Sequence, residues 1–116
     1  MVCSRAKVRK ITNDFIKRLR RNGLPIDKAY LFGSYAWGRP SSVSDIDMAI
    51  ISPKFKRWND IKRIKVLSDI ARYVYPNLEV EIDAIGFTHE ELENASYFDL
   101  AGEIRQKGQI IYNKAA

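Results

Sequence analysis

Leu31-Phe32-Gly33-Ser34-Tyr35-Ala36-Trp37-Gly38, and then Ser44-Asp45-Ile46-Asp47-Met48-Ala49-Ile50, form the stretch on which the fold turns. Residues 28–32 read as a short strand. Gly33-Ser34 breaks it and opens a helical turn. Residues 38–44, with Pro40 and three serines, read as a loop. Residues 45–51 read as a second strand, ended by Ser52-Pro53. Side chains alternate along a strand, so Asp45 and Asp47 project from one side. Ile46, Met48 and Ile50 project from the other side, into the core. Two adjacent anions on a strand repel each other, and aspartate is a poor strand former. A divalent cation offsets that cost most simply, and paired carboxylate oxygens suit Mg²⁺.

On the N-terminal side, Ser4 caps a basic helix within residues 1–23. Its apolar positions Val8, Ile11, Phe15 and Leu19 recur at helical steps, and Asn22-Gly23 with Pro25 stops it. On the C-terminal side, a helix is expected from Trp58 or Asn59 to about Tyr75. Its apolar face is expected to hold Ile61, Ile64, Leu67, Ile70 or Ala71, and Val74. Residues 78–87 read as a third strand, in which Glu79, Glu81 and Asp83 share one face. If it neighbours residues 45–51, one acid completes a three-carboxylate cluster. Asp83 lies deepest and is preferred; Glu81 is the register-shifted alternative. Thr88-x-x-Glu91 is a capping box for a following helix. A last helix spans residues 98–107 with Gly108 at its end, and residues 110–112 form a small closing strand. This order predicts an α/β (α+β) domain: one small mixed β-sheet flanked by α-helices, as a single unit over 1–116.

The composition fits that reading. A chain of 116 residues with 46% hydrophobic and 29% charged residues is neither disordered nor membrane-embedded. Its longest apolar runs are far too short for a membrane span. The N-terminus does not read as a secretory signal, and one cysteine, Cys3, cannot form an internal disulfide, so a cytoplasmic location is expected. The net charge of +6 is unevenly spread: residues 1–72 hold 17 basic and 6 acidic side chains, residues 73–116 hold 3 and 8. A basic front half attracts polyanions. A solvated helix face with ordinary surface lysines explains the same pattern.

Other phosphate and metal motifs do not fit. Gly33-x₄-Gly38 runs into Arg39-Pro40 where a P-loop needs Lys and Ser/Thr. Zinc-ligand spacings are absent, and the single histidine, His89, reads as a surface residue. What remains is a strand end offering backbone amides to an anion, followed by a strand offering metal ligands. That arrangement suits a nucleoside triphosphate with Mg²⁺.

Here the sequence resembles the minimal nucleotidyltransferase family, within the DNA polymerase β-like nucleotidyltransferase fold. The family signature is Gly-Ser, ten residues, then Asp-x-Asp, matched by Gly33-Ser34 and Asp45-Ile46-Asp47. The Gly-Ser-Tyr-Ala-x-Gly and Ser-Asp-Ile-Asp text and a later acid, Asp83, also match, over residues 28–112. The resemblance implies transfer of a nucleoside monophosphate, AMP from ATP, to a hydroxyl. It implies that Gly33 and Ser34 hold the triphosphate. Asp45 and Asp47 would bind two Mg²⁺ ions, and Asp83 the one nearest the acceptor. Many relatives carry Arg where this chain has Trp37, and Arg39 is the expected replacement. So small a member implies an acceptor brought by a helical partner, a HEPN ribonuclease toxin AMPylated on tyrosine, with this chain as antitoxin. Alternatives are transfer to a small hydroxylated molecule such as an aminoglycoside, across a homodimer, or a non-catalytic module binding a partner or RNA. RNA is the less favoured contact.

Overall fold

A computed structural model describes residues 3–38, 40, 45–76, 81–96 and 99–116. Helix α1 spans Arg5–Arg21. The Ser4 side chain accepts from the Lys7 amide and caps it. At the other end the Gly23 amide donates to Arg20 O at 3.1 Å and the Leu24 amide to Leu19 O at 3.1 Å. This is a Schellman closure, and it needs the positive φ of 87° that Gly23 adopts. The buried face of α1 carries Val8, Ile11, Phe15, Ile16 and Leu19, following the expected periodicity.

Strands β1 (Lys28–Phe32), β2 (Ile46–Ile51), β3 (Ile82–Phe87) and β4 (Gln109–Asn113) form one sheet in the order β3-β2-β1-β4. β1 is antiparallel to both β2 and β4, whereas β2 and β3 are parallel, so the sheet is mixed. A parallel pair needs a crossover, and helix α2 (Asp60–Val74) supplies it. Asn59 caps α2 by accepting from the Lys62 amide at 2.8 Å. The capping box of Thr88 and Glu91 starts α3 (His89–Glu93), and α4 is Leu100–Lys107. Asp45 lies just before β2, and the first residues expected in the third strand, 78–80 with Glu79, fall outside the described set, as does Phe98.

β2 is sandwiched between two cores. Ile46, Met48 and Ile50 pack with α1 residues and with Phe55, Leu67 and Ala71. Ala49 and Ile51 pack with Leu92, Ala101 and Ile104 on the other side. Continuous burial is typical of a central strand covered on both faces.

The inward face of α2 differs from the expectation. Ile61 and Ile64 are 77% and 54% exposed, while Arg63, Leu67 and Ala71 are buried. The reason is backbone satisfaction. The Arg63 guanidinium donates to the carbonyls of Trp58 at 3.1 Å, Gly86 at 3.2 Å and Phe55 at 2.5 Å, and to Glu91 Oε1 at 2.7 Å. The short 3₁₀ turn Pro53–Arg57 and the end of β3 would otherwise bury unpaired carbonyls. Rotating α2 to bury Ile61 and Ile64 would strand them. Among the described residues no helix is long and apolar enough to cross a membrane.

Candidate active site

The sheet topology brings the chemical residues to one end. β1 runs antiparallel to β2, so its last residue, Phe32, stands opposite Asp47. β3 runs parallel to β2, so Asp83 is the register partner of Asp47. The Ile46 amide donates to Glu81 O at 2.8 Å, which locks the start of that pairing. Of the two candidate third acids, Asp83 is therefore the strand neighbour of Asp47; Glu81 lies one step before β3.

Gly33 follows Phe32 with φ of 73°. A side chain there would overlap Asp47 Oδ2, so the absence of a Cβ lets the carboxylate seat against the turn. The Gly33 carbonyl accepts from the Ala36 and Trp37 amides, each at 3.1 Å. This closes the single helical turn expected after the strand, with Ser34 as its next residue. Trp37 is half exposed, and its indole N–H donates to Lys107 O on α4 at 3.4 Å. Arg39 lies outside the described residues.

Asp47 is held up to a pKa of about 6 by burial, then by the charges of Asp83 and Asp45. Three carboxylates thus act on one point, Asp47 from half-buried backbone and the other two from exposed positions. They do not form a finished cage: among the described residues no three acidic, histidine or cysteine side chains are gathered as a metal site. Hard oxygen donors that resist shared ionisation nevertheless fit Mg²⁺. Asp45 and Asp83 also line a cavity of about 500 Å³ with Glu81, Ser68 and Arg72. Ser68 and Arg72 come from α2, one turn apart. Nothing in their sequence spacing ties them to the Asp-x-Asp motif, because the tie is the packing of α2 on β3.

Comparison with known proteins bears on the fold and the family. No curated protein matches the chain significantly. A crystal structure from Sulfolobus solfataricus assigned to the nucleotidyltransferases is 16% identical, with TM-score 0.68 over 95% of this chain and 84% of that one. A toxin–antitoxin complex with AMP-PNP is 27% identical, with TM-score 0.60 over 88% of this chain and 73% of that one. The tri-AMPylated HEPN toxin of Shewanella oneidensis in complex with its MNT antitoxin is 24% identical, with TM-score 0.57 over 93% and 74%. The family described as "Polymerase beta, Nucleotidyltransferase" matches residues 13–116. With Gly33 seated under Asp47 and Asp83 beside it, the chain belongs to the polymerase beta nucleotidyltransferase family.

Proposed function

We propose that this chain transfers AMP from ATP to a hydroxyl, and that the acceptor is a tyrosine of a HEPN-type ribonuclease toxin. The observation that carries the reading is Asp47 lodged against Gly33 with Asp83 in register beside it. The AMP-PNP-bound toxin–antitoxin complex, 27% identical, supports both the nucleotide and the setting. The HEPN assignment rests on the Gly33-Ser34 and Asp45-x-Asp47 resemblance.

Asp45, Asp47 and Asp83 would hold Mg²⁺, whose chemistry is to neutralise charge on the phosphates and on the attacking and leaving oxygens. The turn at Gly33-Ser34 receives the triphosphate, and Arg39 is assigned to it from the sequence alone. The acceptor oxygen bonds to the α-phosphorus and the bond to pyrophosphate breaks. Asp83, an exposed residue lining the cavity, passes the acceptor proton to water.

The test is incubation with α-labelled ATP, Mg²⁺ and the folded product of the adjoining gene. Label is expected on a partner tyrosine, and Asp45→Asn or Asp47→Asn should abolish it without unfolding the protein. A partner that binds yet takes no label counts against the reading.

A further inference from the structure

β4 ends the sheet order, so among the described residues its outer edge pairs with no other strand. A cavity of about 940 Å³ runs over that edge, because Ile110 and Ile111 both line it and strand neighbours point to opposite faces. Ile111 packs on the core under α1, whereas Ile110 stands across from Tyr30 of the other core and is half exposed. Tyr35 and Trp37, from the turn after Gly33, form another wall. Trp37 is also half exposed, yet held by the bond from its indole to Lys107 O. An open apolar strand edge is a liability that proteins cover, and a fixed, exposed tryptophan beside it suits an interface anchor.

The rim of this cavity is cationic. Arg5 and Arg9 line it from α1, both exposed and four residues apart, so they share one helix face. Among the described residues neither makes an ion pair. The first turn of α1 holds no acidic residue, so its cations oppose the helix dipole as well as each other. Carboxylates placed across them relieve both costs. A second copy of the chain would instead set these arginines against their own kind, on a protein already at +6. We infer that the β4 edge and the Trp37 cavity dock an acidic surface of the partner protein, with an apolar side chain filling the cavity. That the partner is HEPN-type rests on the nucleotidyl-transfer reading above. Docking there sets the partner beside the Gly33 turn, to which that reading assigns the triphosphate.

The experiment measures binding of the folded HEPN-type product of the adjoining gene to wild type, Ile110→Glu, the pair Arg5→Glu with Arg9→Glu, and Ile61→Glu. Ile61 is the control, an isoleucine exposed on α2 instead. Circular dichroism confirms that each variant is folded. Ile110→Glu should weaken binding by about thirtyfold and leave ATP affinity as in wild type. The arginine pair should weaken it by about tenfold, with a smaller loss at 300 than at 50 mM salt. Ile61→Glu should lose nothing. Unchanged partner affinity in Ile110→Glu overturns the proposal, as does an equal loss in Ile61→Glu or no binding to wild type. A matching loss of ATP affinity in Ile110→Glu overturns it by making the cavity a nucleotide site. A dimer of the chain alone that Ile110→Glu dissociates, seen by ultracentrifugation, overturns it in favour of a second copy. AMP transfer with unchanged affinity in the variants would keep the functional reading and reject this surface. Binding lost in the variants, with no AMP transferred by wild type, would keep the surface and reject the acceptor assignment.

Discussion

Asp47 sits where a carboxylate is poorly suited to being an anion. Burial comes first among the causes, then the charges of Asp83 and Asp45. The folded protein holds its proton up to about pH 6, against 3.8 for an ordinary aspartate. A raised folded pKa means stability that is full below the ordinary value and lost as pH rises through about 6. Without added metal, Asp47→Asn should therefore melt higher than wild type at pH 7.5 and equal to it near pH 4. The gain should be about 1 kcal/mol, or roughly 4 °C, since solvent screens part of the repulsion. Differential scanning fluorimetry at both pH values checks this. A lower melting point at pH 7.5 would contradict it. Gly33→Ala makes the complementary case: its methyl displaces Asp47 Oδ2 and strains a positive φ. AMP transfer should fall about a hundredfold, as a misplaced catalytic group does, with the fold retained.

At the scale of elements, α2 shows polar satisfaction overruling hydrophobic periodicity. Hydropathy ranks Ile61 and Ile64 above Arg63 as core residues. The structure reverses them because one guanidinium serves three carbonyls and Glu91. Arg63→Ala should cost about 3 kcal/mol, since it leaves buried acceptors and a carboxylate unpaired. Ile61→Lys should cost less than about 0.5 kcal/mol. Urea unfolding of the two variants decides it, and the opposite order would refute the account. Glu91 adds a pH signature. Burial alone would raise its pKa, but the Thr88 amide and Arg63 outweigh burial and lower it. Stability from this pair is present above the ordinary carboxylate range and lost as pH falls through the lowered value. The acid limb of the stability curve should flatten in Arg63→Met.

Across the whole molecule, charge is segregated along the chain, with 17 basic and 6 acidic residues in 1–72. Exposed cations line α1 and α2, and Arg5 and Arg9 share a cavity with Tyr35 and Trp37 of the turn after Gly33. Their field should speed the arrival of a polyphosphate. The association rate of ATP should fall about threefold between 50 and 300 mM salt, measured by stopped flow, as exposed charges are screened beyond the Debye length. A salt-independent rate would show that the basic surface is only solubilising.

Local chemistry was legible in the chain itself. Helix ends at Ser4, Gly23, Asn59 and Thr88, the strands around Gly33 and Asp47, and the mixed α/β class follow from capping residues, turn glycines and alternation, which act over a few residues. The Gly33-Ser34 and Asp45-x-Asp47 spacing likewise marked where chemistry collects. The tertiary structure alone decided the rest. It made β3 parallel to β2, which puts Asp83 rather than Glu81 in register with Asp47. It turned α2 inward on Arg63 and set Arg72 on the rim of one cavity with Asp45, Glu81 and Asp83. Register and helix rotation depend on which distant carbonyls need a donor and which faces meet. Those partners are separated by tens of residues, so no local pattern encodes them.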